Sequence, residues 1–199
     1  MSTYRAPLRD MQFVLRELAD VDEVAKLPGY EDTPEVLDAI LDEAATFASE
    51  VLDPINRTGD VQGCTWSDGN VTTPKGFKDA YQRFAQAGWI GLPVSPEHGG
   101  QGLPQLLLGP TLEMWNAANV GFANGPLLNQ GAIEAIELCG SAEQKATFVP
   151  KLVSGEWTGT MCLTEPQAGS DLAAVRAKAV PDADHYKISG QKIFITFGE

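Results

Sequence analysis

Histidine and cysteine are scarce in this sequence. Its 199 residues include two histidines and three cysteines. The cysteines, Cys64, Cys139 and Cys162, are odd in number, show no C-x-x-C spacing and have no histidine cluster near them in the sequence. Structural zinc sites need closely spaced cysteine and histidine ligands, and disulfide frameworks use even numbers of cysteines. We therefore expect neither a metal site nor a disulfide.

Basic residues and long apolar runs are also lacking. The sequence has 14 lysines and arginines against 27 aspartates and glutamates, which gives a net charge of −13. This balance argues against a nucleic-acid-binding surface and against adhesion to anionic lipid, since both need a basic patch. No apolar stretch approaches the ~20 residues of a membrane-spanning helix, and no signal-peptide pattern opens the chain. We expect a cytoplasmic protein with no membrane span. An anionic ligand remains compatible, because backbone amides and a few cations can bind one locally.

Hydrolytic and paired-carboxylate catalysis have little support in the sequence. Ser170 lies in Gly-Ser-Asp and not in the G-x-S-x-G turn of serine hydrolases. The acidic residues Asp38, Asp42 and Glu43 alternate with an apolar face at helical spacing. This pattern is typical of a solvated helix surface rather than of two catalytic carboxylates.

Apolar residues at helical spacing fill the first three quarters of the chain. Thr33-Pro34 is a good helix start, and Asp53-Pro54 is expected to end that helix. Capping and terminating residues mark the others. The predicted helices are 33–53, a second from Thr73-Pro74 to Gly88, a third from near Pro104, a fourth from Pro126 to Cys139, and a fifth that Ser141 caps and that Pro150 kinks or restarts.

The pattern changes from helical to β near residue 156. Short β-rich segments separated by turns follow, at 160–164, 175–180, 186–189 and 192–197, and the polar residues 59–73 predict a surface loop or short hairpin earlier in the chain. The fold class expected is α+β, an N-terminal helical bundle followed by the start of a β-domain. The domains expected are an N-terminal extension (1–32), a helical domain (33–156) and the first part of a β-domain (157–199).

Two segments of this β part carry the most chemical information. The first is Met-Cys-Leu-Thr-Glu-Pro-Gln-Ala-Gly-Ser-Asp at 161–171, in which an apolar strand runs into a turn of small and hydroxyl residues. Such a strand end exposes backbone N–H groups and hydroxyls that suit a phosphate or an electron-rich ring edge. A plain surface turn uses the same residue types, so the residues alone leave both interpretations open. The second segment is Gly-Gln-Lys-Ile-Phe-Ile-Thr-Phe-Gly at 190–198, an apolar strand with a central threonine.

Together the two segments resemble the flavin-facing strands of the acyl-CoA dehydrogenase family. That family has Thr-Glu-Pro-x-Ala-Gly-Ser-Asp followed by Gly-x-Lys-x-(Trp or Phe)-Ile-(Thr or Ser), with Phe194 here at the aromatic position. The resemblance continues upstream through residues 91–102 and 140–157 and covers nearly the whole chain. Residues 4–15 resemble the N-terminal extension of a larger-subunit branch that includes the 3-methylthiopropionyl-CoA dehydrogenases.

The resemblance implies a role for individual residues of both segments. Thr164 and the backbone of Met161, Cys162 and Leu163 would bind the pyrimidine side of FAD. Thr196 would place its hydroxyl near flavin N5, and Phe194 and Ile195 would lie against the cofactor. Gly169 and Ser170 would lie near the FAD pyrophosphate, and Ser170 also near the pantetheine arm of the substrate. Glu165 is interpreted as a residue that shapes the turn. For Phe194 and Ile195 the alternative is an ordinary place in the core of a strand.

The same resemblance implies a reaction and partners. In the family, a carboxylate removes the pro-R α-proton of an acyl-CoA thioester while the β-hydride passes to FAD, as in the β-oxidation of fatty acids. The catalytic glutamate is expected beyond residue 199, so no catalytic residue is assigned in this chain. An electron-transfer flavoprotein would be the electron acceptor, and the enzyme would be a homo-oligomer.

Other functions are compatible with the same residues. We expect the chain to be the N-terminal portion of a longer enzyme, inactive by itself and a weak binder of FAD. It could instead be a non-catalytic module that binds acyl-CoA or a flavoprotein. Acyl-CoA oxidases and flavin monooxygenases share the fold, and these residues do not separate them from dehydrogenases.

Overall fold

The computed structural model describes residues 4–197, which are mostly helical; one small antiparallel hairpin interrupts the helices and a second follows them. This order confirms the predicted α+β class. The helices are α1 (Leu8–Phe13), α2 (Val21–Val24), α3 (Thr33–Phe47), α4 (Asp53–Gln62), α5 (Phe77–Gln86), α6 (Leu108–Cys139) and α7 (Ala142–Val153). The strands are β1 (Thr65–Ser67), β2 (Asn70–Thr72), β3 (Lys178–Asp182) and β4 (His185–Ser189). The π turns are Val14–Leu18 and Ala48–Leu52, and the 3-10 turns are Trp89–Gly91, Pro96–His98, Gln105–Leu107 and Leu172–Ala174.

The predicted stop at Asp53-Pro54 is wrong. The π turn Ala48–Leu52 joins α3 directly to α4, so helical structure runs from residue 33 to residue 62. In a π turn the hydrogen bond spans five residues, as in the bond from the Asp53 N–H to the Ala48 carbonyl. This change of hydrogen-bond register comes just before Pro54, which has no N–H to donate. The chain can therefore pass the proline without leaving the helix.

The predicted helix start at Pro126 is also wrong. Helix α6 runs through Pro126, and the break lies seven residues earlier at Asn119, whose φ of −160° and ψ of 87° are not helical. The side-chain Oδ1 of Asn119 accepts a hydrogen bond from the Phe122 N–H at 3.1 Å, as an N-capping residue does. Its Nδ2 donates to the Leu52 carbonyl at 3.1 Å. Asn119 therefore ends one half of α6, caps the other, and ties both to the end of the π turn.

The remaining helix signals are mostly confirmed. Ser141 and Gln144 form the reciprocal capping box of α7, and Gly88 follows α5 with a φ of 78°. Helix α5 begins at Phe77, later than predicted, because Gly76 before it has a φ of 94°, which no helix accommodates. Pro150 does not restart a helix, because α7 runs through it to Val153. The carbonyl that loses its partner belongs to Ala146, an exposed residue, so water can satisfy it.

The core lies between α3, the π turn Ala48–Leu52, α5, α6 and α7 and is built from their apolar faces. The ring of Phe84 is at its centre, 4.7 Å from the Trp115 ring and 5.6 Å from that of Phe47, both in edge-to-face geometry. The N-terminal extension contributes to the same core through Met11 and Leu15, which are 6% and 3% exposed. The extension thus packs as part of the helical unit.

The β part contains less sheet than predicted. Strands β3 and β4 pair in register from Lys178 opposite Ser189 to Asp182 opposite His185, and β1 and β2 form the hairpin expected within residues 59–73. The predicted strands 160–164 and 192–197 are not strands in the part of the chain described here. Phe194 and Phe197 have φ values of 56° and 55°, which interrupt the extended backbone that a ladder needs. Gly198, the last residue of the predicted second segment, lies outside the described residues.

Candidate functional site

The two segments singled out in the sequence lie side by side although they are not strands. The Ile193 N–H donates to the Thr164 carbonyl at 3.0 Å, and the Lys192 ammonium group donates to the Leu163 carbonyl at 3.0 Å. The fold therefore brings together the residues predicted to contact a flavin from the two segments, about thirty positions apart in the chain.

The first segment presents free backbone donors. Within residues 4–197 no acceptor pairs with the N–H groups of Met161, Cys162, Leu163 or Thr164. Met161 and Leu163 are 56% and 41% exposed, Cys162 is exposed as well, and Thr164 is half-buried. A row of unpaired N–H groups at an open surface can bind the carbonyl and nitrogen edge of a flavin pyrimidine ring.

The second segment presents an aromatic ring and a hydroxyl. Phe194 is 86% exposed, so the alternative that it is a core residue of a strand is wrong. Ile195 and Thr196 are half-buried. A large exposed aromatic side chain beside free backbone donors is suited to pack against a planar ring.

Glu165 holds the turn that follows the first segment. Glu165 is buried, and its carboxylate accepts hydrogen bonds from the amides of Arg176 (2.8 Å) and Ala177 (2.9 Å), the Lys192 ammonium (2.9 Å) and the Gln167 side chain (2.5 Å). The Arg176 amide, followed by Lys192 and the Ala177 amide, lowers the pKa of Glu165 to about 2. With this low pKa and four donors bonded to it, the buried carboxylate stays charged at neutral pH and is poorly suited to take up a proton. This geometry agrees with the interpretation of Glu165 as a residue that shapes the turn.

Gly169 and Ser170 lie on an open part of the same turn. Both are exposed, and a Cβ atom built on Gly169 would have no heavy atom within 4 Å among the described residues. Asp171 next to them caps the 3-10 turn Leu172–Ala174 by accepting the Ala173 N–H at 3.1 Å. The open space at Gly169 leaves room for a bulky phosphate group to approach the backbone.

A cavity of about 720 Å³ opens beside the second segment. Its wall is largely apolar, and Thr196 and Phe197 contribute to it. The Phe197 ring stands edge-on to that of Tyr81, 6.1 Å away, and lies close against Gly125. The rest of the wall comes from α4, the β1–β2 hairpin, α5 and the second half of α6. Thr196, predicted to lie at the flavin edge, is thus also a wall residue of an apolar cavity.

Sequence reasoning assigned no role to two residues that organise this region. Lys192 was visible inside the second segment, but its sequence position did not reveal its contacts with Leu163 and Glu165. Asn129 is fully buried in α6, where its Nδ2 donates to the Leu152 carbonyl at 3.0 Å and its Oδ1 accepts the Gly159 N–H at 2.7 Å. Asn129 fixes the path of the chain from α7 towards residue 161. An asparagine in an apolar helix stretch was the available signal.

Within residues 4–197 no three His, Cys, Asp or Glu side chains come together in a way that could hold a metal ion. In the same residues no helix has both the length and the apolar character needed to cross a membrane. Cys64, Cys139 and Cys162 are exposed free thiols.

Comparisons with known proteins agree in naming one family. Residues 34–156 match the family model described as acyl-CoA dehydrogenase, N-terminal domain. The chain is 46% identical over 200 residues to the 3-methylmercaptopropionyl-CoA dehydrogenase of Ruegeria pomeroyi, covering 99% of the chain and 34% of that protein. It is 37% identical over 203 residues to a butyryl-CoA dehydrogenase of Syntrophomonas wolfei, covering 98% of the chain and 33% of that protein. The chain thus spans about a third of the length of these relatives.

A solved structure supports the same fold. The crystal structure of an acyl-CoA dehydrogenase complexed with FAD from Bacillus anthracis superposes with a TM-score of 0.66 and 25% identity, over 80% of this chain and 26% of that one.

Proposed function

Because the chain belongs to the acyl-CoA dehydrogenase family, we propose that it contributes the flavin-facing segments of an FAD-dependent enzyme that introduces an α,β double bond into an acyl-CoA thioester. The observation that carries this proposal is the contact between the two motif segments through the Ile193–Thr164 hydrogen bond. This contact joins the segment with the free N–H groups of residues 161–164 to the segment that carries the exposed Phe194.

The residues present fit FAD. The row of unpaired amides from Met161 to Thr164 would hold the pyrimidine edge, and Phe194 with Ile195 would lie against the ring system. Thr196 would donate its hydroxyl at the reacting edge, while Gly169 and Ser170 leave the space that a pyrophosphate needs. When bound, FAD supplies the hydride acceptor. The amides would stabilise negative charge at the pyrimidine edge, because donors fixed in advance need no reorganisation.

The apolar cavity of about 720 Å³ is assigned to the acyl chain. Thr196 belongs to its wall, so an acyl chain bound there would reach the flavin edge that receives the β-hydride. Burial of the methylene groups against Phe197 and Tyr81 would hold the chain and exclude water. Ser170, at the open turn, would contact the pantetheine arm. No described residue is assigned as the base for the α-proton.

The proposal extends to the electron acceptor, the oligomeric state and the location of the protein. An electron-transfer flavoprotein would reoxidise the enzyme, and the natural protein would be a cytoplasmic homo-oligomer. The support is the family relationship.

Anaerobic titration of the natural full-length protein tests this function. We expect a yellow protein whose flavin absorbance bleaches with a straight-chain or thioether acyl-CoA. If the protein retains FAD but its flavin absorbance is not bleached by any of the straight-chain and thioether acyl-CoAs, the dehydrogenase assignment is refuted. Rapid reoxidation by oxygen with release of hydrogen peroxide would instead identify an acyl-CoA oxidase.

A further inference from the structure

Lys192 makes two contacts that an ordinary surface lysine does not make. Its ammonium group donates to the main-chain carbonyl of Leu163 at 3.0 Å and to the carboxylate of Glu165 at 2.9 Å. Its side chain is 26% exposed and that of Glu165 is 2% exposed. The ion pair is thus largely shielded from water, which strengthens it and makes the loss of either partner costly.

A second lysine shows what a plain surface ion pair looks like in the same region. Lys187 on β4 pairs with Asp182 on β3, and the two side chains are 72% and 43% exposed. Exposed pairs of this kind contribute little to stability. No hydrogen bond links Lys187 to residues 161–165 within the described chain. The contrast sets Lys192 apart as a residue that joins separate segments.

The bond from Lys192 to the Leu163 carbonyl is the contact that bears on the position of residues 161–164. Leu163 and its neighbours Met161, Cys162 and Thr164 direct no N–H group to an acceptor within residues 4–197. Their position therefore depends on the few bonds made by their carbonyls. Two such bonds reach across to the second segment, one from the Lys192 ammonium to Leu163 and one from the Ile193 amide to Thr164.

We propose that Lys192 is a positioning residue for the flavin site: by bonding the Leu163 carbonyl and the Glu165 carboxylate, it fixes the backbone of residues 161–164 against residues 193–196 so that both segments form a single binding edge. This inference rests on the proposed FAD function. Lys192 does not touch the reacting atoms. It acts through the backbone donors, whose placement decides how well they stabilise the reduced flavin.

Three variants of the natural full-length protein test the role. Lys192→Met keeps the stem and removes the donors, Lys192→Arg keeps a cation that can donate to both acceptors, and Lys192→Met combined with Glu165→Gln removes the buried charge together with its partner. Lys187→Met is the matched control, because it deletes an ammonium and an ion pair on the neighbouring hairpin.

Three readouts separate positioning from stability alone. They are the FAD dissociation constant, the reduction potential of the bound flavin, and the hydrogen-exchange rate of the Ile193 amide in the flavin-free protein. For Lys192→Met we expect FAD binding weakened roughly tenfold or more, a more negative potential, and faster exchange at Ile193. Lys192→Arg should restore most of all three. The double variant should regain thermal stability but not FAD affinity, because the Leu163 carbonyl still lacks its donor.

The outcomes distinguish failure of the proposed FAD function from failure of the positioning role of Lys192. If the unmodified protein binds no FAD, the proposed function fails and this inference fails with it. If the unmodified protein binds FAD and Lys192→Met matches it in affinity and potential, only the positioning role is overturned. Full recovery of affinity in the double variant would also overturn it, since neutralising the buried charge would then be the whole effect. Should Lys192→Met not fold, the arginine and double variants decide in the same way.

Discussion

Replacing Asn129 by alanine should loosen the connection between the helical unit and the first motif segment. Asn129 is fully buried, and its side chain makes two hydrogen bonds, to the Leu152 carbonyl at 3.0 Å and from the Gly159 N–H at 2.7 Å. The Leu152 carbonyl keeps a second donor in the Gly155 N–H at 3.2 Å. The Gly159 N–H has no other acceptor within residues 4–197. Of the two hydrogen bonds, the one from the Gly159 N–H is therefore the more costly to lose.

The expected cost is about 2 kcal/mol for the two bonds together, since one bond contributes about 1 kcal/mol net and the Gly159 N–H, left without an acceptor, accounts for the larger share. Alanine also favours the helix over asparagine by up to about 0.7 kcal/mol. That gain can be cancelled with Asn116→Ala, a control in the same α6. Asn116 donates to the Leu112 carbonyl four residues earlier, at 2.8 Å, where an ordinary helix bond already serves that carbonyl. The difference between the two variants isolates the Asn129 contacts.

Native-state hydrogen exchange measures this difference locally and does not require the whole protein to unfold in one step. We expect the Gly159 amide to exchange about 30-fold faster in Asn129→Ala than in Asn116→Ala, the factor that corresponds to about 2 kcal/mol. FAD affinity should fall in the first variant alone. Equal exchange rates at Gly159 would refute the reasoning, since they would mean that the buried amide does not hold the connecting segment.

Three further predictions concern the turn, the flavin edge and a tight glycine. The pKa of Glu165 is lowered from 4.5 to about 2, so the stabilising contribution of its charged carboxylate is fully present above pH 4.5 and is lost as the pH falls towards 2. The urea concentration at the midpoint of unfolding should drop over that pH window, and the drop should be smaller in Glu165→Gln. Thr196→Ala should slow flavin reduction by an activation cost of roughly 1–3 kcal/mol, with Thr196→Ser milder, and an unchanged stopped-flow rate would remove Thr196 from the site. Gly100→Ala should destabilise the protein by roughly 2 kcal/mol or more, because a Cβ there would lie 2.0 Å from the Val94 carbonyl oxygen. Gly109→Ala, with nothing within 4 Å in the described chain, should be neutral or stabilising, and equal melting temperatures for the two glycine variants would contradict the packing argument.

The sequence by itself determined the family and the order of structure. The motif at 161–171 and the second segment pointed to the acyl-CoA dehydrogenase family before any contact was known, and the family model agrees. Local signals also sufficed where the physics is local. The capping box at Ser141 and Gln144 needs only residues three apart, and the positive φ of Gly88 follows from its place after a helix.

Only the tertiary structure decided where the helices break and how the motif segments are held. From the sequence, Pro54 predicts a stop and Pro126 a start, because a proline lacks an N–H, which is a local property. Both are passed within helices, while the break comes at Asn119, whose amide bonds Leu52, 67 positions away. Lys192 likewise reaches Leu163 across 29 positions. Periodicity and capping describe neighbours in sequence, whereas a buried amide or ammonium goes wherever the fold places an acceptor. For that reason the residues of the site could be named from the sequence, and the residues that position them could not.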